Sequence, residues 1–128
     1  MKLLLDTHAF LWFLEGKQDL SRDALRAILQ EENSLHLSIA SYWEMCIKIS
    51  LGRLALSPGW PRLFEREMRR NGIHWLELKK EHIRGIVDLP FIHRDPFDRL
   101  LIAQALHERC CIVTGDESIS KYDVKTIW

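Results

Sequence analysis

Residues 95–116 read DPFDRLLIAQALHERCCIVTGD, and the two halves of that stretch carry different periodicities. Asp95 followed by Pro96 is a helix start: a carboxylate that can accept from free N–H groups, then a ring whose fixed φ suits the first helical position. Leu100 to Leu106 is apolar nearly all round, which predicts a deeply buried helix. Cys111 to Thr114 then reads as a short strand, and Asp116 opens a turn or short helix. Helix, strand and carboxylate thus follow one another within a single unit.

Working outward, the same order recurs. Lys2 to Asp6 reads as a buried strand, followed by a helix over Ala9 to Leu14 that Gly16 can end. Ser21 has the character of an N-cap for a helix to about Glu32, with Ala24, Leu25, Ile28 and Leu29 as its inward stripe. Leu35 to Ser38 is a second strand. Ser41 to about Leu51 is helical, with Met45 and Ile49 inward and Gly52 as the stop. Pro61 to Arg70 is a helix, Ile73 to Leu78 a strand, and Lys80 to Val87 a short helix ahead of the Leu89-Pro90 break. Val124 to Trp128 makes a terminal strand. Strands separated by helices predict an α/β fold, a small mostly parallel sheet flanked by helices, whose ligands gather outside the carboxyl ends of the strands.

The chain has the length of one domain spanning residues 1–128, enough to remove roughly two-thirds of its unfolded surface from water. Its 47% hydrophobic and 28% charged residues, with only 6 Gly and 4 Pro, exclude a disordered or low-complexity class, and no linker or internal repeat is visible. The 18 basic and 18 acidic side chains cancel, so net charge does not point to nucleic acid. Arg62, Arg66, Arg69 and Arg70 recur at helical spacing, with Lys79 and Lys80 soon after. They form a phosphate-attracting face or, the better reading with Glu65 and Glu67 interspersed, a solvated helix surface. Cys46, Cys110 and Cys111 lack zinc or redox spacing and fit a reducing compartment. The run Leu3 to Leu5 is too short for a signal-peptide core, and nothing approaches the ~20 apolar residues of a membrane span, so cytoplasmic residence without membrane association is expected.

Four acids, Asp6, Glu44, Asp98 and Asp116, carry the chemistry. Each has a capping explanation: Asp6 and Asp116 ahead of helices, Asp98 near a positive helix end, and Ser41 with Glu44 at capping-box spacing. Their recurrence at apolar run ends and helix starts favours a shared acidic pocket. Carboxylate oxygens are hard ligands suited to Mg²⁺ or Mn²⁺, and Mg²⁺ uses only one or two of them directly. Without a cation the cluster is strained, because two charges ~5 Å apart repel by ~3 kcal/mol at an effective dielectric of 20. His8, His36, His74, His82, His93 and His107 show no zinc-site spacing. His93 and Arg94 reach a phosphate or form a loop salt bridge. The tryptophans, among them Trp12, Trp43 and Trp60, stack on bases or, the better reading for most, pack in the core or at an interface. No phosphate-binding glycine loop is present, which argues against nucleotide hydrolysis or dinucleotide binding.

At LLLDTHAFLWFL, SIASYWEM, RDPFDRLLIAQAL and IVTGD the chain resembles the PIN-domain ribonucleases, in particular toxins of the VapC type from toxin–antitoxin pairs, over nearly its whole length. The resemblance implies a small parallel sheet flanked by helices and assigns Asp6, Glu44, Asp98 and Asp116 as the four family acids. Thr7, Ser41 and Thr114 match hydroxyl positions that orient carboxylates or water, and Asp95 is a helix cap or an additional outer acid. It further implies an RNA substrate and a homodimer neutralised by a small antitoxin that covers the acidic groove.

The expected activity is therefore a Mg²⁺- or Mn²⁺-dependent endoribonuclease that hydrolyses phosphodiester bonds with metal-activated water. Asp6 and Asp98 would be direct or near-direct ligands, with Glu44 and Asp116 positioning water or a second metal. A structure-specific DNA nuclease and a non-catalytic RNA- or protein-binding module are the alternatives. A haloacid-dehalogenase-like phosphatase would need an acid where His8 stands, and a phosphoacceptor receiver would need an acid in place of Leu5.

Overall fold

Five strands, Lys2–Leu5 (β1), Ser34–Ser38 (β2), Ile73–Leu76 (β3), Cys111–Val113 (β4) and Thr126–Ile127 (β5), form one sheet of order β3-β2-β1-β4-β5 in the computed structural model, which describes all 128 residues. Every pairing is parallel, with Leu3 of β1 opposite Leu35 on one side and Cys111 on the other. Seven helices connect and cover the strands: Thr7–Glu15 (α1), Arg22–Leu29 (α2), Ile39–Ser50 (α3), Trp60–Arg70 (α4), Lys80–Gly85 (α5), Pro96–Glu108 (α6) and Glu117–Ser120 (α7), with a 3-10 turn at Ile86–Asp88. The α/β fold expected from the strand and helix order is the one observed.

The residues of β1 explain the layering. Side chains alternate across a strand, so Leu3 and Leu5 enter one core while Leu4 enters the other. The first core packs Ala9 and Phe10 of α1, Ala24 and Ile28 of α2, Met45 of α3 and Phe64 and Met68 of α4 against the sheet. The second packs Leu101, Ile102 and Ala105 of α6 and Ile119 of α7 against Leu4 and Ile112. Leu3, Leu4 and Leu5 are all fully buried, so each contributes about 1.5–3 kcal/mol of transfer free energy. A strand covered on both faces must be apolar where it is covered, as Leu3 to Leu5 are; only Lys2, at the half-buried start of the strand, is charged.

The element boundaries correct several sequence expectations. Helix α2 ends at Leu29, and its inward stripe is Ala24, Ala27 and Ile28, whereas Leu29 is 61% exposed and Leu25 also faces solvent. Helix α3 begins at Ile39, two residues before Ser41, because Ser38 at the end of β2 caps it by accepting from the Ala40 N–H. Ser41 and Glu44 are therefore helix-interior residues and form no capping box. The helix expected to run to Val87 tightens into the 3-10 turn after Gly85, and Leu106 in α6 is exposed, not buried. Gly16 closes α1 in the left-handed conformation at φ 64°, which glycine adopts without steric cost. No helix is long and apolar enough to cross a membrane.

Candidate active site

The chain winds outward from β1 through β2 to β3 in one direction and through β4 to β5 in the other, so strand order reverses between β1 and β4. Flanking loops diverge at such a point and leave a crevice at the carboxyl ends of the strands. Asp6 follows β1 directly, and Thr114 to Asp116 follow β4. The Asp6 N–H donates to the Val113 carbonyl at 3.1 Å, which ties the two strand ends together at the crevice.

Asp6, Asp98 and Asp116 share one arrangement: the protein holds one carboxylate oxygen and leaves the other. Asp6 Oδ1 accepts from the Ala9 N–H at 2.7 Å, capping α1. Asp116 Oδ1 accepts from the Ser118 N–H at 2.8 Å, capping α7. Asp98 sits in the first turn of α6, where Asp95 and not Asp98 supplies the cap, and its Oδ2 lies 3.1 Å from His93 Nε2. Capping and site formation are thus compatible roles for Asp6 and Asp116, each using a different oxygen. Asp95 is a helix cap, accepting from the Phe97 and Asp98 N–H groups.

Glu44 differs. It is buried on α3, joined to the Asp6 neighbourhood through the Thr7 hydroxyl, which donates to Oε1 at 2.6 Å, while Lys48 Nζ stands 3.1 Å from Oε2. Both oxygens are engaged and its charge is already paired. Ser41, one turn earlier on the same helix, keeps a buried hydroxyl with no hydrogen-bond partner. A buried polar atom of that kind normally meets water or a ligand.

The electrostatics show that negative charge is in excess. Burial holds the Asp6 carboxyl above the usual range, and nearby Asp116 adds to the rise, against the opposing influence of the Thr114 hydroxyl, the Ala9 N–H and His8. Asp98 is pushed up to about 6, first by burial and then by repulsion from Asp95 and Asp116, with His93 opposing. Thr114 Oγ1 also accepts from the Asp116 N–H at 3.1 Å, so the residue whose hydroxyl opposes the rise at Asp6 is tied to the other strand-end acid. An all-oxygen donor set with insufficient compensating charge, together with the orphaned Ser41 hydroxyl, fits Mg²⁺ or Mn²⁺. Asp6, Asp98 and Asp116 offer the free oxygens to hold such an ion; Glu44 would have to give up Lys48 or act from the outer shell.

Sequence reasoning missed the support beneath Asp98. Tyr122 Oη lies 3.0 Å from Arg99 Nη1, 3.3 Å from the His93 backbone N and 2.8 Å from His93 Nδ1. The guanidinium and the backbone N–H can only donate, so they occupy the two lone pairs of the hydroxyl. The tyrosine proton must therefore go to His93 Nδ1, which leaves the ring proton on Nε2, aimed at Asp98. Arg99 is itself buried and donates to the Pro90 carbonyl at 2.8 Å. Only the adjacency of His93, Asp98 and Arg99 in sequence hinted at this; Tyr122 lies too far along the chain to be paired with them from spacing.

One other cluster has metal-ligand geometry. His82, His107 and Glu108 place ligand atoms within 4.8 Å of one another, at the far end of α6. The hydrogen bonding argues against a metal there. His82 Nδ1 accepts from the Lys79 N–H at 3.1 Å and faces the Gln104 amide at 3.3 Å, so its proton sits on Nε2, 3.0 Å from Glu108 Oε1. A metal at Nε2 would drive that proton onto Nδ1, against a backbone donor that cannot reverse. Lys2 and Lys79 also stand 3.6 Å from Glu108. The cluster is an ion-pair network.

The comparisons with known proteins fit this architecture. The fold is similar to that of VapBC2 from Rickettsia felis bound to a DNA fragment from their promoter, with a TM-score of 0.71 at 12% identity over 98% of this chain and 97% of that one. It is also similar to VapBC-1 from nontypeable Haemophilus influenzae, with 0.69 at 16% identity over 98% and 96%. A toxin–antitoxin complex from Klebsiella pneumoniae gives 0.61 at 16% identity over 93% and 91%. No curated protein matches the sequence significantly. The model of the PIN domain matches residues 3–125, a span that holds Asp6, Glu44, Asp98 and Asp116 and nearly the whole chain, and the chain belongs to the PIN-domain family.

Proposed function

We propose that this chain is a divalent-metal-dependent endoribonuclease, the toxin of a toxin–antitoxin pair, acting in the cytoplasm. What supports the reading is that Asp116 stands near enough to raise the pKa of both Asp6 and Asp98, while a protein group holds one oxygen of each of the three carboxylates. The structural neighbours are toxin–antitoxin proteins, which supports a small antitoxin partner. RNA as substrate and a homodimeric assembly rest on the family resemblance in the sequence.

A bound Mg²⁺ or Mn²⁺ would polarise a phosphate oxygen and lower the pKa of a water. The chain's own contribution is to hold the acids still. The Ala9 N–H fixes Asp6, the Ser118 N–H fixes Asp116, and His93, itself oriented by Tyr122, fixes Asp98. Thr7 restrains Glu44 beside them. Preorganised acids of this kind avoid reorganisation at the moment of reaction.

The test uses purified, partner-free protein and its Asp98→Asn variant on structured and unstructured RNA and on matched DNA, with Mg²⁺, Mn²⁺ or EDTA. Metal-dependent RNA cleavage leaving 5′-phosphate and 3′-hydroxyl ends, lost in a folded variant, is expected. A 2′,3′-cyclic phosphate would contradict attack by water. RNA binding without cleavage under any metal condition would return the chain to the interaction-module class, and preferential cutting of DNA would make it a DNA nuclease.

A further inference from the structure

We propose that the recess beside Asp6 and Asp116, walled by Trp12 and Trp128, is a nucleobase pocket that seats an unpaired base of the RNA next to the phosphate being cut. The proposal rests on the ribonuclease reading and adds to it a site for substrate selection.

The recess measures about 380 Å³ and opens directly from the two strand-end acids. The ring centroids of Trp12 and Trp128 lie 5.8 Å apart at 54°, and His8 lies 5.5 Å from Trp12 at 39°. None of these rings is stacked flat on its neighbour, so aromatic faces remain to be covered. Trp12 is half-buried and packs its inner side on the core beneath α1, which makes it a rigid floor, while Trp128 is 37% exposed. Burying that indole against a planar ligand removes apolar surface from water at little cost in side-chain freedom.

Gly115 shows that the wall depends on local backbone space. A Cβ there would stand 2.6 Å from Trp128 Cε2, closer than any real side chain can approach. Its φ is not in the left-handed region, so the glycine is needed for space and not for conformation. The absence of a side chain lets the indole lie over the backbone just before Asp116, bringing an aromatic face to the edge of the acidic crevice.

The chemistry selects the occupant. The acids repel a phosphate entering the recess by itself, but a neutral planar ring carries no such penalty. Base–aromatic stacking is available to every base because each has a π-face. Asp19, exposed at the rim, is the one carboxylate of the lining that lies outside the proposed metal-holding set. An ionised carboxylate only accepts, so it favours bases whose edge presents N–H donors.

The test begins by mapping the cut site of the parent protein. Binding is then measured by fluorescence anisotropy in Mg²⁺, in a cleavage-deficient Asp98→Asn background. The probes are a labelled single-stranded oligoribonucleotide spanning that site and the same oligonucleotide with the base beside the scissile phosphate removed. Trp128→Ala is expected to weaken binding of the intact strand by about fivefold to a hundredfold, the range that stacking supplies, while barely changing binding of the abasic strand. Trp128→Phe should restore most of the loss, and Gly115→Ala should mimic Trp128→Ala. Equal losses on both strands, or no loss on either, would overturn the pocket while the parent's cleavage left the ribonuclease reading standing. A parent that neither binds nor cuts RNA would remove both. A recess used by a side chain of a protein partner would show itself as a Trp128→Ala defect in partner binding with no dependence on the RNA base, and that result also overturns the proposal.

Discussion

Replacing Asp98 by Asn should stabilise the metal-free protein at neutral pH and leave it unchanged in acid. The folded carboxyl titrates at about 6 against an ordinary value of 3.8, so between those values the folded state holds a proton that the unfolded chain has released. Stability contributed by this group is therefore highest below pH ~4, falls as pH rises through that window and is lowest above pH ~6. The full shift corresponds to a ceiling of about 3 kcal/mol at 1.36 kcal/mol per unit. Asp98 keeps 19% of its side chain in solvent and touches His93, and screening reduces the expected gain to about 1–1.5 kcal/mol. The amide is close in shape to the protonated carboxyl, so the two proteins should unfold alike at pH 4. Urea denaturation in EDTA at pH 4 and pH 7 reads the difference. Saturating Mg²⁺ should then reverse the order, adding about 2.7 kcal/mol to the parent at a hundred times its Kd and little to the variant. Destabilisation of Asp98→Asn at pH 7, or a difference independent of pH, would refute the reasoning and make the His93 contact the dominant role of the residue.

Asp6→Asn should abolish cleavage with metal-free stability equal to or above the parent's, since asparagine still caps α1; thermal denaturation and an RNA cleavage assay together decide it. Thr7→Val leaves the buried Glu44 oxygen without its 2.6 Å donor and should cost about 1–3 kcal/mol in urea unfolding, along with a fall in kcat. Tyr122→Phe strands the donors of Arg99 and the His93 backbone and frees the imidazole; it should cost a similar ~1–3 kcal/mol and lower kcat more than it raises KM. Addition of Zn²⁺ should shift the melting temperature of His107→Ala and of the parent equally, because the trio at the far end of α6 holds no ion. A shift confined to the parent would contradict the hydrogen-bond argument for His82.

Much of the fold was legible because its determinants are local. Asp95-Pro96 starts α6, Gly16 ends α1, and the unbroken apolar run of β1 belongs to a strand covered on both sides. The positions of the acids at the strand ends were legible for the same reason, since Asp6 directly follows the apolar run of β1 and Asp116 comes three residues after Val113, the last residue of β4. The start of α3 was not. Ser38 and Ser41 offer equally good capping side chains, and the choice falls on Ser38 because its hydroxyl also donates to Gln104 Oε1 at 2.5 Å, a partner 66 residues away. The stripe of α2 failed similarly, since Leu25 and Ala27 compete for the inner face and only the packed neighbours decide between them. Tyr122 was invisible because its value to the site lies in a hydroxyl shared among groups 23 and 29 residues away.

The bond between Asp6 and Val113 spans most of the chain, and the crevice acids meet only when β1 has paired with β4. Closing so long a loop is entropically costly, and contacts of such separation are among the slow ones to form. A partly folded chain therefore carries all its acids but has no site, and helices formed early give it no cutting power. For a protein proposed to destroy RNA, this ties the proposed activity to completion of the native sheet: molecules caught during folding or unfolding would be harmless, because the crevice exists only in the native state.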